Sequence, residues 1–215
     1  MPAFLREVRT PAHGRAQTRR TMQTLKDPFQ LFGHWLEEAR AAEPEDAEAM
    51  SVATIDPDGM PSSRMVLLKD FDARGFVFYT NLGSRKAQGL AETPRTALLF
   101  HWKSLRRQVR IQGKVESVTA PEADAYFASR PRASRIGAWA SRQSEPLPNR
   151  WALETRVATM GARFGLGEVP RPDFWSGFRV IPVSFEFWQA GGFRLHERVR
   201  YEVGPYGWEQ AALFP

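Results

Sequence analysis

The stretch RMVLLKDFDARGFVFYTNLGSRK, residues 64–86, carries the pattern that decides the fold. Residues 62–69 and 75–80 are rich in the apolar, β-branched and aromatic side chains that favour strands. The segment Asp72-Ala73-Arg74-Gly75 between them is typical of a turn. The stretch therefore predicts two neighbouring strands joined by a tight reversal.

The end of this stretch combines a strand, a glycine-containing turn and a helix start. Ser84 is a candidate N-cap for a helix over residues 85–92. Free backbone N–H groups and the helix dipole favour an anion at such a start. A hydroxyl from Thr80 or Ser84 and the cations Arg85 and Lys86 would complete a cradle for a phosphate. The same residues also fit an ordinary capped helix with solvated charges, so both interpretations stay open.

The chain outside this stretch continues to alternate strands with turns. Asp27 as N-cap and Pro28 at the first helical position predict a helix over residues 28–42. Further strands are predicted from residue 49, over 95–103, 106–118, 178–189 and 194–203, and as an edge pairing over 206–213. Helices are predicted over 121–129, 133–140 and 148–164, and a loop over 165–177. Strand runs interrupted by helices predict a mainly β fold, an antiparallel barrel with added α-helices.

The composition of the 215-residue chain limits its chemistry. Hydrophobic residues make up 42 %, and 15 Phe and seven Trp favour a sheet-rich core. The absence of cysteine excludes disulfides, thiol nucleophiles and cysteine metal sites.

The sequence shows neither a membrane-helix pattern nor a targeting signal. No apolar run approaches the roughly 20 residues of a membrane helix, and no signal-peptide pattern is present. We therefore expect a cytoplasmic protein without membrane contact. The four histidines lack clustered spacing, so we expect no metal site; they are His13, His34, His101 and His196.

The positive charge is concentrated at the amino terminus. The net charge is +6, and residues 1–26 contribute six basic side chains and one acid, which leaves 24 basic and 23 acidic residues in the remainder. A nearly neutral body argues against a nucleic-acid-binding protein, the alternative that a basic chain raises. We expect residues 1–26 to form a flexible basic arm and residues 27–215 to form a single domain.

Two further groups of polar side chains are candidates for a site. Tyr126 and Arg130 lie four positions apart on a predicted helix, hence on one face, and Ser134 follows. These three could converge on a second phosphate, or they could be a polar helix end. In the last long strand, alternation would place Arg194, His196 and Arg198 on one face. That face either is exposed to solvent or lines a site.

Ordered motifs along the chain resemble those of the pyridoxine/pyridoxamine 5′-phosphate oxidase family. The resemblance runs from about Asp27 to Pro215. Its motifs are RMVLLK at 64–69, FYTNLGSRK at 78–86, RQV at 107–109, SRPR at 129–132, IGAW at 136–139, RQS at 142–144, FWSGFR at 174–179, EFW at 186–188 and RLHER at 194–198. The resemblance implies an FMN-binding split β-barrel that works as a homodimer, with both subunits contributing to each site.

The resemblance also assigns roles to individual residues. It implies FMN contacts at Arg64, Met65, Val66, Leu67, Leu68, Lys69, Tyr79, Thr80, Arg85, Lys86, Gln108, Gln143, Ser144, Trp188 and Arg198. It implies a substrate phosphate held by Lys69, Tyr126, Arg130 and Ser134. It places the catalytic residues Arg194 and His196 beside the substrate's pyridine ring, near the reacting carbon.

The reaction that the resemblance implies is an oxidation in vitamin B6 metabolism. Pyridoxamine 5′-phosphate or pyridoxine 5′-phosphate would become pyridoxal 5′-phosphate, with O2 as acceptor and release of H2O2, and of NH3 from the amine. A related FMN oxidase acting on another aromatic ring, of the phenazine type, is the alternative.

The amino-terminal arm departs from the family pattern. Family members often close an arginine and a tyrosine from this arm over the substrate, whereas residues 1–26 contain no tyrosine, so closure by that route is not expected.

Overall fold

The computed structural model describes residue 22 and residues 24–215. The predicted flexible arm, with His13 and the stretch that lacks a tyrosine, lies outside the described residues except for its last few positions. Within the described part, no helix is both long and apolar enough to cross a membrane. The same part contains no group of three or more His, Cys, Asp or Glu side chains arranged to hold a metal ion.

The described chain divides into two compact units. The terminal unit comprises the described residues up to Ala47, His101–Val109 and Ser184–Pro215. The central unit comprises Glu48–Phe100 and Arg110–Val183. Compactness alone does not test whether residues 27–215 fold as one domain, so that expectation stays a prediction.

Antiparallel strands dominate the described chain, as the sequence predicts. The strands are β1 (Ala49–Ile55), β2 (Pro61–Leu67), β3 (Asp70–Asp72), β4 (Gly75–Asn81), β5 (Arg95–Trp102), β6 (Arg107–Ser117), β7 (Trp175–Gln189), β8 (Glu197–Gly204) and β9 (Gly207–Leu213). Hydrogen bonding orders them as β2-β1-β5-β6-β7-β4-β3, and β8 pairs with both β7 and β9. The pairings with β1, β4 and β8 are antiparallel. The predicted mainly β class with added helices is confirmed.

Five helices accompany the strands in the described chain. They are α1 (Pro28–Ala42), α2 (Arg85–Glu92), α3 (Ala120–Ser129), α4 (Arg132–Ala140) and α5 (Ala152–Phe164). The predicted start of α1 is confirmed, because the Asp27 side chain accepts a hydrogen bond from the Phe29 amide at 2.8 Å. Thr119 begins α3 with a capping box in which Glu122 is the reciprocal partner.

Aromatic side chains fill the core of the terminal unit. Trp35 of α1 is fully buried and meets the Phe187 ring edge-on, with 5.2 Å between ring centroids. The Arg107 guanidinium lies 4.5 Å from the Trp35 ring centroid and forms an ion pair with Glu38. Arg107 donates to the Gln189 side chain as well, at 2.7 Å. A cation buried among rings is therefore compensated by both a carboxylate and an amide.

The strand that begins the deciding stretch is shorter than predicted, and an additional strand follows it. β2 ends at Leu67 and not at residue 69. The Lys69 amide donates to the Val77 carbonyl of β4 at 2.9 Å, so the chain has left β1 and joined β4 at this point. The three-residue strand β3 then pairs with β4, and it was too short for its periodicity to be recognised.

Three other element boundaries differ from the sequence prediction by three residues or more. β7 begins at Trp175 and not at 178, because Trp175 pairs with Asn81 within a stretch whose Pro and Gly content is typical of a loop. α5 begins at residue 152 and not at 148. β8 begins at Glu197 and not at 194, because Phe193 and Arg194 adopt left-handed backbone angles, φ 53° and 63°, within a 3₁₀ turn.

Candidate active site

A cavity of about 770 Å³ lies within the central unit. Its volume is in the range typical of small-molecule and cofactor sites. Predicted site residues form most of its lining. They are Arg64, Met65, Val66, Leu67, Lys69, Tyr79, Thr80, Arg85, Lys86, Tyr126, Arg130, Ser134, Gln143 and Ser144. Five lining residues had no predicted role: Asn81, Gly137, Ala138, Ser141 and Trp175.

Lys86 is the most enclosed cation of the cavity, with 8 % of its surface exposed. Its ammonium donates to Thr80 Oγ1 at 3.0 Å, Ser84 Oγ at 3.3 Å and Gln143 Oε1 at 3.0 Å. All three partners are neutral oxygens. Burial, with a smaller effect of the Arg64 charge, lowers the pKa of Lys86 to about 8. A phosphate at this position would supply the negative charge that the protein does not place there.

Arg64 projects from β2 and is held by the strand beside it. Its guanidinium donates to Thr54 Oγ1 and to Ser62 Oγ, each at 2.6 Å, and more weakly to the Val52 carbonyl at 3.3 Å. Burial lowers the pKa of Arg64, while the nearby carboxylate of Asp56 acts in the opposite direction. Arg64 is thus a fixed cation whose orientation is set by hydroxyl groups of β1 and β2.

Arg85 is paired with a buried carboxylate that the sequence did not reveal. Arg85 Nε lies 2.7 Å from Asp56 Oδ2, and Arg85 Nη2 lies 3.4 Å from Asp58 Oδ2. The Asp56 side chain is almost completely buried, and its Oδ1 has no hydrogen-bond partner among the described residues. Asp56 belongs to the turn between β1 and β2, and its sequence context indicates only a turn residue.

The predicted phosphate cradle at the start of α2 forms in part. Thr80, Ser84 and Lys86 come together as predicted, but the Ser84 side chain does not cap the helix. Instead, Ser144 Oγ accepts the Arg85 backbone N–H at 3.2 Å. Ser144 reaches this position with a left-handed φ of 74°. A residue 59 positions away in sequence therefore supplies the hydroxyl at this helix start.

The second predicted cluster lies in the same cavity. Arg130 is not within α3 but is the residue that caps its end. Its Nη1 is buried and has no hydrogen-bond partner in the described part of the chain, and burial lowers the pKa of Arg130. Tyr126 of α3 and Ser134 of α4 line the cavity with it. A buried guanidinium nitrogen without an acceptor is costly, and an anionic ligand would satisfy it.

Near-parallel aromatic rings border this second cluster. The Tyr126 ring stacks on Tyr79 with 4.0 Å between centroids, and Tyr79 stacks on Trp175 at 5.4 Å. A Cβ at Gly177 would lie 2.6 Å from the Tyr79 ring, so this glycine permits the close approach. The Tyr79 hydroxyl donates to the Glu122 backbone carbonyl at 3.5 Å. Burial raises the pKa of Tyr79.

Five predicted site residues belong to the terminal unit and do not line this cavity: Gln108, Trp188, Arg194, His196 and Arg198. The His196 ring lies 4.7 Å from the Trp188 ring, centroid to centroid. Arg198 Nη2 lies 2.7 Å from Glu186 Oε1, and Arg198 Nη1 donates to the Phe214 carbonyl at 2.8 Å. Trp188, His196 and Arg198 thus lie close together within their own unit, since Trp188 also pairs with Arg198 across β7 and β8.

One sequence-based expectation about site residues is wrong in its geometry, and another, the FMN contact of Leu68, stays a prediction. Arg194, His196 and Arg198 do not share a strand face, since Arg194 belongs to the 3₁₀ turn and His196 precedes β8. Around this turn, the Gly191 backbone N–H donates a hydrogen bond to His196 Nδ1 at 3.3 Å. Leu68, a predicted FMN contact, is 4 % exposed and does not line the cavity.

Comparison with known proteins decides the family. Residues 36–164 match the family model described as pyridoxamine 5′-phosphate oxidase. The chain belongs to the pyridoxamine 5′-phosphate oxidase family. Residues 175–215 also match the model described as the pyridoxine 5′-phosphate oxidase C-terminal dimerisation region. The family predicted from the ordered motifs is thereby confirmed.

Close relatives of the chain in this family share its length. A protein of Caulobacter vibrioides named pyridoxine/pyridoxamine 5′-phosphate oxidase is 66 % identical over 190 residues, which cover 88 % of this chain and 86 % of that protein. One of Maricaulis maris with the same name is 61 % identical over 191 residues, covering 88 % and 86 %. The similarity therefore extends over nearly the whole of each protein.

Solved structures show the same fold. The crystal structure of PhzG from Burkholderia lata, in complex with tetrahydrophenazine-1-carboxylic acid, has a TM-score of 0.85 and 31 % identity, and covers 97 % of this chain and 98 % of that one. A pyridoxamine 5′-phosphate oxidase-related, FMN binding protein of Nostoc punctiforme has a TM-score of 0.71 at 18 % identity, covering 89 % and 99 %. The predicted antiparallel split-barrel fold is confirmed.

Proposed function

We propose that the chain is an oxidase that converts pyridoxamine 5′-phosphate and pyridoxine 5′-phosphate to pyridoxal 5′-phosphate. O2 accepts the electrons and H2O2 is released, together with NH3 from the amine. The observation that carries the proposal is the buried Nη1 of Arg130, which lies in the wall of the cavity without an acceptor. Relatives that are 66 % and 61 % identical carry the name of this activity.

The cofactor is FMN, and the cavity offers residues suited to its phosphate. Lys86, held among neutral oxygens, and Arg64, held by hydroxyl groups, would bind the phosphate oxygens. Arg85 would add a third cation, oriented by Asp56. Bound FMN supplies the two-electron acceptor, a chemistry that amino-acid side chains do not provide. The chain's own residues bind and orient it.

The substrate's phosphate binds at the second cluster. Arg130 donates from its unpaired Nη1, and Tyr126 and Ser134 present hydroxyl groups to the same cavity. Lys69 follows β2 and lines the cavity as well. The phosphate does not change during the reaction, so its contacts stabilise the bound substrate and the transition state alike and act mainly on KM.

The active protein is a homodimer whose two sites each use both subunits. The match of residues 175–215 to a dimerisation region supports this assembly. These residues include the predicted catalytic pair Arg194 and His196, and the predicted FMN contacts Trp188 and Arg198. Arg194 would stabilise charge as it develops during the reaction, and His196 would take part in proton transfer.

An FMN oxidase acting on a phenazine-type ring is the second candidate function. The structural similarity to PhzG, at a TM-score of 0.85, favours it. A single carboxylate, as that ligand carries, needs fewer donors than a phosphate, and the second cluster presents two cations and two hydroxyl groups to the cavity, which argues against this function. The higher identity of the relatives named for vitamin B6 oxidation argues against it as well.

Turnover assays separate these two functions. The FMN-loaded protein is supplied with pyridoxamine 5′-phosphate, with unphosphorylated pyridoxamine and with a reduced phenazine carboxylate, and peroxide is measured. The proposal expects efficient peroxide release with pyridoxamine 5′-phosphate and at least about 100-fold lower kcat/KM with pyridoxamine, since two or more charge-assisted hydrogen bonds are lost. Turnover of the phenazine compound alone would contradict the proposal.

A further inference from the structure

Trp175 occupies a position in the cavity to which the sequence assigned no role. It is the first residue of β7, it is 6 % exposed, and its indole borders the cavity. Its backbone is fixed, because Arg171 Nη1 donates to the Trp175 carbonyl at 2.8 Å. Phe127 packs edge-on against the indole at 4.9 Å between centroids. The backbone contact and the Phe127 ring therefore hold the indole in one orientation.

Two of the candidate phosphate ligands, Arg130 and Tyr126, pack against this indole. The Arg130 guanidinium carbon lies 4.9 Å from the indole centroid. The Tyr126 ring is nearly parallel to the indole, at an interplanar angle of 7° and a centroid distance of 6.1 Å. The Tyr79 ring stacks on both of these rings, with an interplanar angle of 12° to Tyr126 and 4° to Trp175. The indole thus contacts a cation and a phenol that project into the same cavity.

The environment of Arg130 explains why such a support is needed. Its Nη1 is buried without an acceptor, and burial lowers its pKa. The Arg130 guanidinium makes no ion pair with a described carboxylate, in contrast to Arg171 and Arg179, which pair with Asp124 and Glu122. An aromatic face attracts a guanidinium without neutralising it. It can therefore orient Arg130 and leave the charge available to a ligand.

We propose that Trp175 is a positioning residue for the substrate's phosphate: its indole holds Arg130 and Tyr126 in the geometry in which both reach the same phosphate. The inference rests on the proposed function and deepens it, because it names what orders the phosphate ligands. Trp175 does not itself bind the phosphate. Its effect is exerted on ligand affinity and not on the chemical step.

A purely structural role for Trp175 makes a different prediction. If the indole served only to fill the core, its replacement would reduce stability, FMN affinity and turnover together. If it positions the phosphate ligands, its replacement raises the KM for pyridoxamine 5′-phosphate, whereas kcat and FMN affinity change little. The conservative replacement by phenylalanine keeps an aromatic face and should restore most of the affinity.

The test compares W175L and W175F with the unsubstituted holoenzyme. W175L is expected to raise the KM for pyridoxamine 5′-phosphate about tenfold and to weaken competitive inhibition by inorganic phosphate about tenfold, with kcat and the FMN Kd within about threefold. W175F is expected to stay within about threefold in all four quantities. A W175L variant with unchanged KM and phosphate inhibition would overturn the proposal, as would an equal loss of kcat and FMN affinity.

A second measurement covers the case in which W175L does not fold. The protein is labelled with 5-fluorotryptophan, and the ¹⁹F resonance of Trp175 is assigned by its absence in W175F. Addition of inorganic phosphate to the holoenzyme should shift this resonance, and the shift should disappear in R130Q. An unmoved Trp175 resonance would overturn the proposal. Failure of the wild-type enzyme to oxidise pyridoxamine 5′-phosphate would instead overturn the proposed function.

Discussion

The ammonium of Lys86 donates a hydrogen bond to the side-chain oxygen of Gln143 at 3.0 Å, across 57 positions of sequence. This bond joins the start of α2 to the segment that follows α4, and Thr80 Oγ1 takes part through its own contact with Gln143 at 3.1 Å. The lysine is therefore fixed by amide and hydroxyl oxygens, and its charge is left for a ligand.

The ionisation of Lys86 predicts proton uptake when FMN binds. With a pKa of about 8, Lys86 is about half protonated at pH 8 in the free protein. The FMN phosphate is already a dianion there, since its second pKa is about 6, and it stabilises the charged lysine. FMN affinity should thus fall as the pH rises through 8. Calorimetry at pH 8 in two buffers of different ionisation enthalpy should detect uptake of a fraction of a proton.

Lys86→Met is the control for this uptake, and it should abolish most of it. Equal uptake in both proteins would contradict the assignment to Lys86.

The lowered pKa of Lys86 also affects the stability of the protein without FMN. Between about pH 8 and the ordinary value of 10.5, the unfolded chain binds more protons than the folded protein. The contribution of this lysine should therefore become more favourable to folding as the pH rises through that window.

Arg130→Gln should impair substrate binding far more than folding. The substitution removes a buried guanidinium whose Nη1 has no hydrogen-bond partner within residues 22 and 24–215. Loss of a charge-assisted hydrogen bond of about 1.5–3 kcal/mol corresponds to a KM for pyridoxamine 5′-phosphate raised by roughly 10- to 100-fold. Steady-state kinetics measure this effect.

Arg132→Gln provides the matched control for Arg130→Gln. Arg132 donates to the carbonyls of Gly165 and Gly167, each at 2.6 Å, and does not line the cavity. Its loss should lower Tm and leave the KM nearly unchanged. A larger KM effect from Arg132 than from Arg130 would contradict the placement of the substrate's phosphate.

Asp56→Asn should destabilise the FMN-free protein more than the FMN-bound one. Asp56 provides a buried negative charge beside Arg85 and Arg64, and the phosphate replaces that charge once FMN is bound. Arg85 is about half exposed, so we expect a loss of only about 1 kcal/mol without FMN, or about 2–4 °C in Tm. Differential scanning calorimetry of both forms measures the difference.

Asp58→Asn tests whether burial of the carboxylate matters. Asp58 also faces Arg85, but both side chains of this 3.4 Å pair are 59 % exposed. Solvent screens such a pair, so its removal should change Tm by less than about 1 °C in either form. Equal effects of the two substitutions would show that Asp56 has no special role.

Gly137→Ala and Gly161→Ala form a matched pair of helix substitutions. At either glycine, an added Cβ would meet no atom of the described residues within 4 Å, and of the two only Gly137, in α4, lines the cavity. Alanine is favoured over glycine inside a helix by about 1 kcal/mol, so both variants should be as stable as the parent protein or more so. Only Gly137→Ala should weaken FMN or substrate binding, as titration and kinetics would measure. An effect of Gly161→Ala on binding would contradict this account.

Much of the fold could be predicted from local pattern. The Asp27-Pro28 start of α1 and the turns at 56–59 and 72–75 are encoded within a few residues, and each is found as predicted. The start of β7 could not be predicted in this way. Trp175 pairs with Asn81, which is distant in sequence, and its neighbours favour a loop.

The candidate site, like the fold, could be predicted from the sequence only where its residues are close together in the chain. Thr80, Ser84 and Lys86 are neighbours in sequence, so their meeting follows from one turn. Asp56 and Trp175 join the cavity residues only through tertiary contacts, an ion pair in one case and a stacked ring in the other. No spacing rule for a helix or a strand connects either residue with its partners.

Anaerobic reduction of the bound flavin tests the central claim most directly. The purified protein, saturated with FMN, is mixed without oxygen with pyridoxamine 5′-phosphate, and its visible spectrum is recorded. The account predicts that the flavin absorption band bleaches in proportion to the pyridoxal 5′-phosphate formed, and returns when air is admitted. A protein that stays colourless after FMN is added, or a flavin band that persists with the substrate present, would contradict it.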